Sequence, residues 1–215
     1  MFHDATVSSS IGNSFACSDC HAIGEEQGDR IFSGGNLAGV VGRPSFWGGR
    51  ENDLLRSVND CRTFFMRAAE PWTGDEDDST ALAAYLESLS GSSGVVAFTP
   101  VRDIVPPPCV PADAARGERI FRAACEHCHG TAEKGQGRKS RVIPVLPLEV
   151  LYNHGLAGPC DEPGHEGAAE SIFASKIRHG AFFAEGGTMA PFSPEVLSDT
   201  DVLNLFAFLG LGPSQ

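Results

Sequence analysis

Cys125-Glu126-His127-Cys128-His129 constrains this chain more than any other stretch, and Cys17-Ser18-Asp19-Cys20-His21 repeats its pattern in the first half. Two cysteines three positions apart, with a histidine directly after the second, make the attachment pattern of a c-type haem. The thiols can each add to a vinyl group of one porphyrin, and the adjoining imidazole is then held beneath the iron as its proximal ligand. Cys17, Cys20, Cys125 and Cys128 are therefore the expected attachment residues, and His21 and His129 the expected iron ligands. Two covalently bound haem c groups follow from two motifs.

Two rival uses of these cysteines are weaker. A redox-active CxxC belongs beside a βαβ pattern, and the flanks here carry no β-branched strand runs. A zinc site could use four cysteines, but structural zinc pairs lie closer in sequence than Cys20 and Cys125. Both readings leave the two adjoining histidines unexplained.

The duplicated motif divides the 215 residues into domains over 1–92 and 112–215, joined by a Pro-rich linker over 93–111. Domains of that size bury a marginal core. A covalently held porphyrin supplies the missing apolar body, around which short helices can pack. The linker runs from Ser92-Ser93-Gly94 to Pro106-Pro107-Pro108-Cys109-Val110-Pro111. Consecutive prolines favour extended geometry, which reads as a semi-rigid spacer or as a loop wrapped on the surface.

A net charge of −12 argues against phosphate-backbone binding, so no nucleic-acid partner is expected. It suits redox proteins with basic docking faces, and equally plain solubility. No apolar run reaches the length of a membrane span. The start does not resemble a signal peptide. Covalent haem attachment implies export, so a periplasmic location is expected, with the leader absent from this sequence.

The periodicity is helical throughout, and the expected class is all-α. Asn52 to Phe65 reads as a helix with Leu54, Leu55, Val58 and Cys61 on one face. A second is expected from Ser79, behind the carboxylates of Asp75 to Asp78, with Leu82, Tyr85, Leu86 and Leu89 as its apolar stripe and Gly91 as its stop. Asp113 can cap a helix through Gly117 and Phe121 into Cys125. Ser198 and Asp201 form a capping-box pattern before Val202, Leu205, Phe206 and Leu209.

Gly34-Gly35-Asn36-Leu37-Ala38-Gly39-Val40-Val41-Gly42-Arg43 resembles the GPxLxGxxGR segment of class I cytochromes c, which lines the proximal side of the haem. Gly35 stands where proline is usual, so the resemblance assigns no particular carbonyl to the His21 imidazole. It implies two tandem class I cytochrome c domains. Gly117 and Phe121 match the small and aromatic pair at which the first and last helices of that family cross; no equivalent helix precedes Cys17. Gly186-Gly187-Thr188-Met189-Ala190-Pro191-Phe192 resembles the family's distal-ligand loop, which makes Met189 the sixth ligand of the second haem. A Met/His pair raises the potential and closes the iron to substrate.

For the first haem two ligands stay open. Met66 is the assignment, since methionine is the commoner ligand. Cys61 is the alternative, because Val58-Asn59-Asp60-Cys61, Met66 and the run Ala81 to Ser90 resemble the N-terminal domain of dihaem thiosulfate dehydrogenases and their SoxA-like relatives. In those enzymes the matching cysteine ligates the active-site haem. The resemblances together imply a periplasmic dihaem cytochrome c that passes single electrons between redox partner proteins, with a sulfur-oxidising enzyme as the rival. A dihaem peroxidase fits less well, since it is usually longer and needs an iron without a sixth protein ligand.

The rest have ordinary readings beside functional ones. Arg43 and Arg178 suit haem propionates or plain surface pairing. Trp47 suits a haem edge or a core. His3, His127, His154, His165 and His179 are alternative ligands of low weight. Of the three cysteines outside the motifs, Cys61, Cys109 and Cys160, the last two share the second half and are the expected pair if a disulfide forms.

Overall fold

The computed structural model describes residues 1–24, 28–92, 94–105, 107–156, 159–163, 167–182 and 187–214. Ser93, Pro106, His165 and Gly186, named above, lie outside the described residues. The elements in chain order are α1 (Cys17–Cys20), α2 (Leu54–Phe64), α3 (Asp77–Ser88), α4 (Ala114–Ile120), α5 (Glu126–His129), α6 (Leu148–His154), α7 (Ala168–His179) and α8 (Asp199–Phe208). Among the described residues the β pairing is a single isolated bridge, Phe46 to Glu51, so the protein is helical as expected.

The chain gathers into two compact units that do not follow chain order. The first comprises Met1–Gly28, Phe32–Pro100 and His179–Glu195; the second comprises Asp29–Ile31, Val101–Arg178 and Val196–Gln215.

In the first unit, α2 starts where the Asp53 carboxylate accepts the Arg56 N–H at 2.8 Å. That satisfies one of the donors a helix start leaves open. Helix α3 begins two residues before Ser79, because Glu76 turns the chain there. The Glu76 carboxylate accepts the N–H groups of Thr73 and Gly74 at 2.9 and 3.0 Å. Leu82 and Leu86 of α3 bury against Val40, with Leu54 and Val58 of α2 packed onto them. The end of α3 passes so close to the Gly-rich segment that a Cβ on Gly39, at φ +65°, would lie 2.6 Å from the Gly91 carbonyl oxygen.

The missing helix before Cys17 is replaced by a different device. Residues 1–14 make one 3₁₀ turn, Ala5–Ser8, capped by Asp4. Phe2 and Val7 are buried. The Phe2 ring lies 5.7 Å from Tyr85 of α3, and its carbonyl accepts the Ser18 N–H at 3.1 Å. An aromatic anchor thus occupies the position that a helix crossing takes elsewhere. Part of the expected linker also lies on this unit: Val96 sits against Gly35, and Phe98 meets Trp47 edge to face at 5.5 Å.

In the second unit, α4 runs through a π turn at Phe121–Cys125 straight into α5, so the motif continues one helix. Asp113 caps it by accepting the Arg116 N–H at 2.9 Å, as its pattern predicts. Helix α8 carries the expected capping box, with the Ser198 and Asp201 side chains each taking the other's N–H. The two helices cross at Gly117, where a Cβ would fall 1.9 Å from the Asn204 carbonyl oxygen. Phe121 and Phe208 stack beside the crossing at 5.4 Å, and the Asp113 N–H donates to Asn204 Oδ1 at 2.9 Å. Cys109 and Cys160 form a disulfide in this unit. Arg178 is buried, donating to the Leu197 carbonyl at 2.6 Å and to Asp199 at 2.7 Å. It fastens the start of α8, which is the plain pairing among the two readings its sequence offered.

Two tests follow. Gly117→Ala forces backbone apart and should destabilise by about 1–3 kcal/mol in denaturant titration, whereas Gly24→Ala, which meets nothing within 4 Å, should stay within about 0.5 kcal/mol. The Thr73 N–H, ahead of the other donors, holds the Glu76 carboxyl down at about 2 from an ordinary 4.5. A depressed pKa contributes stability that is complete above 4.5 and lost as pH falls through about 2. The stability gap between the wild type and Glu76→Gln should therefore close over that interval in acid melts, and a gap unchanged at pH 2 would contradict it.

Candidate functional site

The two motifs build the same local arrangement from different sequences. His21 Nδ1 lies 2.8 Å from the Gly35 carbonyl oxygen, and His129 Nδ1 lies 2.8 Å from the Pro144 carbonyl oxygen. A carbonyl can only accept, so each Nδ1 carries the proton and each Nε2 is left with a lone pair for a metal. Desolvation, the largest influence, pulls both imidazoles below the usual histidine range; the carbonyl acts against it, and for His21 Arg43 adds to it. Both rings are neutral at pH 7, the form in which imidazole ligates iron.

Backbone bonds register each loop against its motif. Gly34 N–H donates to the Cys20 carbonyl at 2.8 Å, and Lys139 N–H donates to the Cys128 carbonyl at 3.0 Å. At Gly34 the fit leaves no room for a side chain, since a Cβ would lie 2.3 Å from His21 Cε1. The carbonyl that the sequence left unassigned is thus Gly35's, and Pro144 holds the matching place in the second half.

The residues present fit a porphyrin. Arg43 donates to the Asn36 and Ala38 carbonyls through Nη2, while its Nε is buried without an acceptor. Burial lowers the pKa of this guanidinium, and its charge acts on His21. A propionate carboxylate would give the Nε–H its missing partner. Burial also pushes the Cys125 thiol up to about 12, with Cys128 adding to the shift, so the slot suits an uncharged thioether better than a thiolate. Among the described residues no group of three or more His, Cys, Asp or Glu converges as an ion site, which leaves the zinc alternative without geometry.

Residues 112–209 match the family model described as cytochrome C oxidase, cbb3-type, subunit III. Residues 112–209 form a c-type cytochrome domain. No curated protein matches the chain. A cytochrome c domain carries covalently bound haem c and transfers electrons, in exchange with redox proteins. No described helix is long and apolar enough to cross a membrane.

On the side of the first motif, α2 brings Cys61 towards Cys17 and Cys20. Its thiol is desolvated although the residue keeps some accessible surface, and that desolvation, followed by the Cys17 and Cys20 thiols, drives its pKa well above the ordinary thiol value. Met66 is 4% exposed on the turn after α2, with its N–H directed to the Cys61 carbonyl at 3.3 Å. Met189 is half-buried, in the segment that gathers with the first unit. A Cβ on Gly180, at φ +59°, would lie 2.4 Å from the Met189 carbonyl oxygen, so the backbone of that loop passes tightly over the end of α7.

Three features escaped the sequence reading. Phe182 packs on Phe64, Trp47 and Phe65 with ring centroids 4.9, 5.3 and 5.4 Å away. Trp47, at φ +51°, therefore belongs to an aromatic cluster, with Arg50 over the Phe182 ring at 5.7 Å. Nothing local in the sequence points to Phe182. Arg62, by contrast, is readable: it follows Val58 by four residues on the buried face of α2, and a charge there needs partners. Its guanidinium lies 3.7 Å over the Trp72 ring, a contact worth about 2 kcal/mol when desolvated. Asn59, beside it, bonds the backbone of Trp72.

Gly34→Ala should displace the His21 ring. The expected result is a protein in which the first motif loses its proximal ligand field while the second keeps it, read from the low-temperature absorption bands of the purified holoprotein. Two unchanged proximal fields would contradict the contact.

Proposed function

We propose that the chain is a periplasmic dihaem cytochrome c that passes single electrons between redox partner proteins. It is read as two class I cytochrome c domains joined through the Pro-rich stretch at 93–111. Cys17 and Cys20 carry one haem and Cys125 and Cys128 the other; His21 and His129 are the proximal ligands, Met66 and Met189 the distal ones. The observation that carries this reading is the duplicated imidazole-to-carbonyl bond, 2.8 Å at both motifs, which prepares both Nε2 atoms alike. The disulfide between Cys109 and Cys160 supports an oxidising compartment.

When bound, haem c supplies iron that alternates between two oxidation states with little change in its surroundings. The polypeptide does the rest. It keeps the imidazoles neutral and oriented and offers Arg43 to a propionate. If His21 with Met66 and His129 with Met189 held the two haems, no general acid, base or nucleophile would be required.

One observation favours a second reading, a dihaem enzyme of the thiosulfate dehydrogenase type with Cys61 on the first haem. Cys61 lies close enough to Cys17 and Cys20 for their charges to act on it, and burial with those charges disfavours a free thiolate there; iron taking the place of the thiol proton would offset that cost. An anionic sulfur ligand would lower that haem's potential and suit oxidation of a sulfur anion.

Protein matured in an exporting host should weigh more than the bare polypeptide by two haems, with Cys20→Ser and Cys128→Ser each lowering covalent attachment at its own motif. The oxidised form should show thioether charge-transfer absorption in the near infrared, and Met189→Ala should remove the second haem's share. A bare polypeptide mass would overturn the reading. A thiolate signature on the first haem, with turnover of thiosulfate, would replace the carrier by the enzyme.

A further inference from the structure

The turn after α2 carries Met66, and three side chains that neither functional reading uses close it. Arg62 is 4% exposed. Its Nη1 donates to the Glu70 carbonyl at 3.2 Å and to Asn59 Oδ1 at 3.3 Å, while the guanidinium plane covers Trp72 at 3.7 Å. Asn59 then treats Trp72 as a strand neighbour would: its Oδ1 accepts the Trp72 N–H at 2.8 Å, and its Nδ2 donates to the Trp72 carbonyl at 2.9 Å. At the near end, Ala68 N–H returns to the Arg62 carbonyl at 2.9 Å, and Arg67 is held at φ +56°, where a non-glycine residue is strained. Trp72 itself is packed against the Val40, Leu82 and Leu86 core.

A surface turn of this length normally keeps conformational freedom. This one is fastened at Ala68, Glu70 and Trp72, all to a single turn of α2, and that turn contains Cys61. We infer that Asn59, Arg62 and Trp72 form a clamp that positions the distal ligand of the first haem, by fixing the Cys61 to Met66 turn relative to Cys17, Cys20 and His21. The inference rests on the dihaem reading and holds for either sulfur ligand, because both lie inside the clamped segment. Groups behind a metal ligand set its bond direction and the metal's properties. The clamp residues are positioning residues; none of them touches the iron.

The test uses the full-length holoprotein. Arg62→Lys keeps the charge and loses the planar stacking surface and the fork of donors. Asn59→Asp keeps the acceptor for the Trp72 N–H and loses the donor to its carbonyl. Trp72→Phe keeps a ring beneath the guanidinium and serves as the mildest variant. Each is read by spectroelectrochemical titration of the two haems and by the near-infrared ligand band. The expected result is a shifted midpoint potential and a weakened or displaced ligand band for the first haem alone, graded with Trp72→Phe least, at two haems per chain. Potentials and bands that stay at wild-type values in variants with a lowered melting temperature would overturn the clamp and leave a plain structural brace. Should Arg62→Lys fail to accumulate, Trp72→Phe and Asn59→Asp decide by the same readouts. A wild-type mass lacking the first haem would overturn the dihaem reading itself, an outcome separable from unshifted potentials in a fully loaded protein.

Discussion

A buried imidazole bonded through Nδ1 to a backbone carbonyl is the constraint on which the surroundings of each CxxCH motif depend. The acceptor must be a carbonyl not already used by a helix, so it has to come from irregular chain. That requirement suits glycine at Gly34-Gly35 and proline at Pro144, both of which interrupt regular structure. It also explains why Gly34 tolerates no Cβ: the ring occupies the space. A carbonyl fixed in this way selects one tautomer and one ring orientation, and a metal ligand is made before any metal arrives.

The two halves meet a second requirement, closing the helix that carries the motif against the last helix of its own repeat, by different means. In the second unit Gly117 lets two backbones approach until the Asn204 carbonyl fills the missing side chain's place, and Phe121 on Phe208 covers the flank. In the first unit residues 1–14 make a single 3₁₀ turn ahead of the motif, and Phe2 on Tyr85 supplies the anchor. Backbone contact between helices excludes water over a long seam, whereas one aromatic ring buries only its own area. The first unit also gathers Phe98 and Phe182 onto Trp47 from distant parts of the chain.

What was legible in the sequence was local. Apolar spacing located α2 and α3 to within a residue or two, and the caps located α4 and α8, because Asp113 and Ser198 act on N–H groups three residues away. The motifs located both histidines. The carbonyl acceptors lie fourteen and fifteen residues further on and depend on loop path, which no spacing rule supplies. Arg178 stayed open between two readings for a related reason: a guanidinium advertises its affinity for carboxylates but not which carboxylate, and here Asp199 and the Leu197 carbonyl accept from it. Phe182 was silent, since an apolar residue after a helix looks the same whether it packs nearby or across the fold.

Under the dihaem reading we propose, the distal sulfur of the first haem would let burial turn a small sequence choice into a functional one. A ferric haem with neutral imidazole carries a single positive charge at its core; a thioether leaves that charge standing, and a thiolate cancels it. In a desolvated site the uncancelled charge is expensive, so a thioether favours the ferrous state and a thiolate the ferric one. Cys61 and Met66 stand on one turn of chain, joined through a backbone bond and held by the same clamp. Met66 is 4% exposed, so water would screen little of the charge at whichever sulfur reached the iron. Under that reading, methionine at both irons would leave the two haems alike and electrons would move on small differences. Cysteine at the first would make that haem the donor, and one side chain would set the order of electron flow.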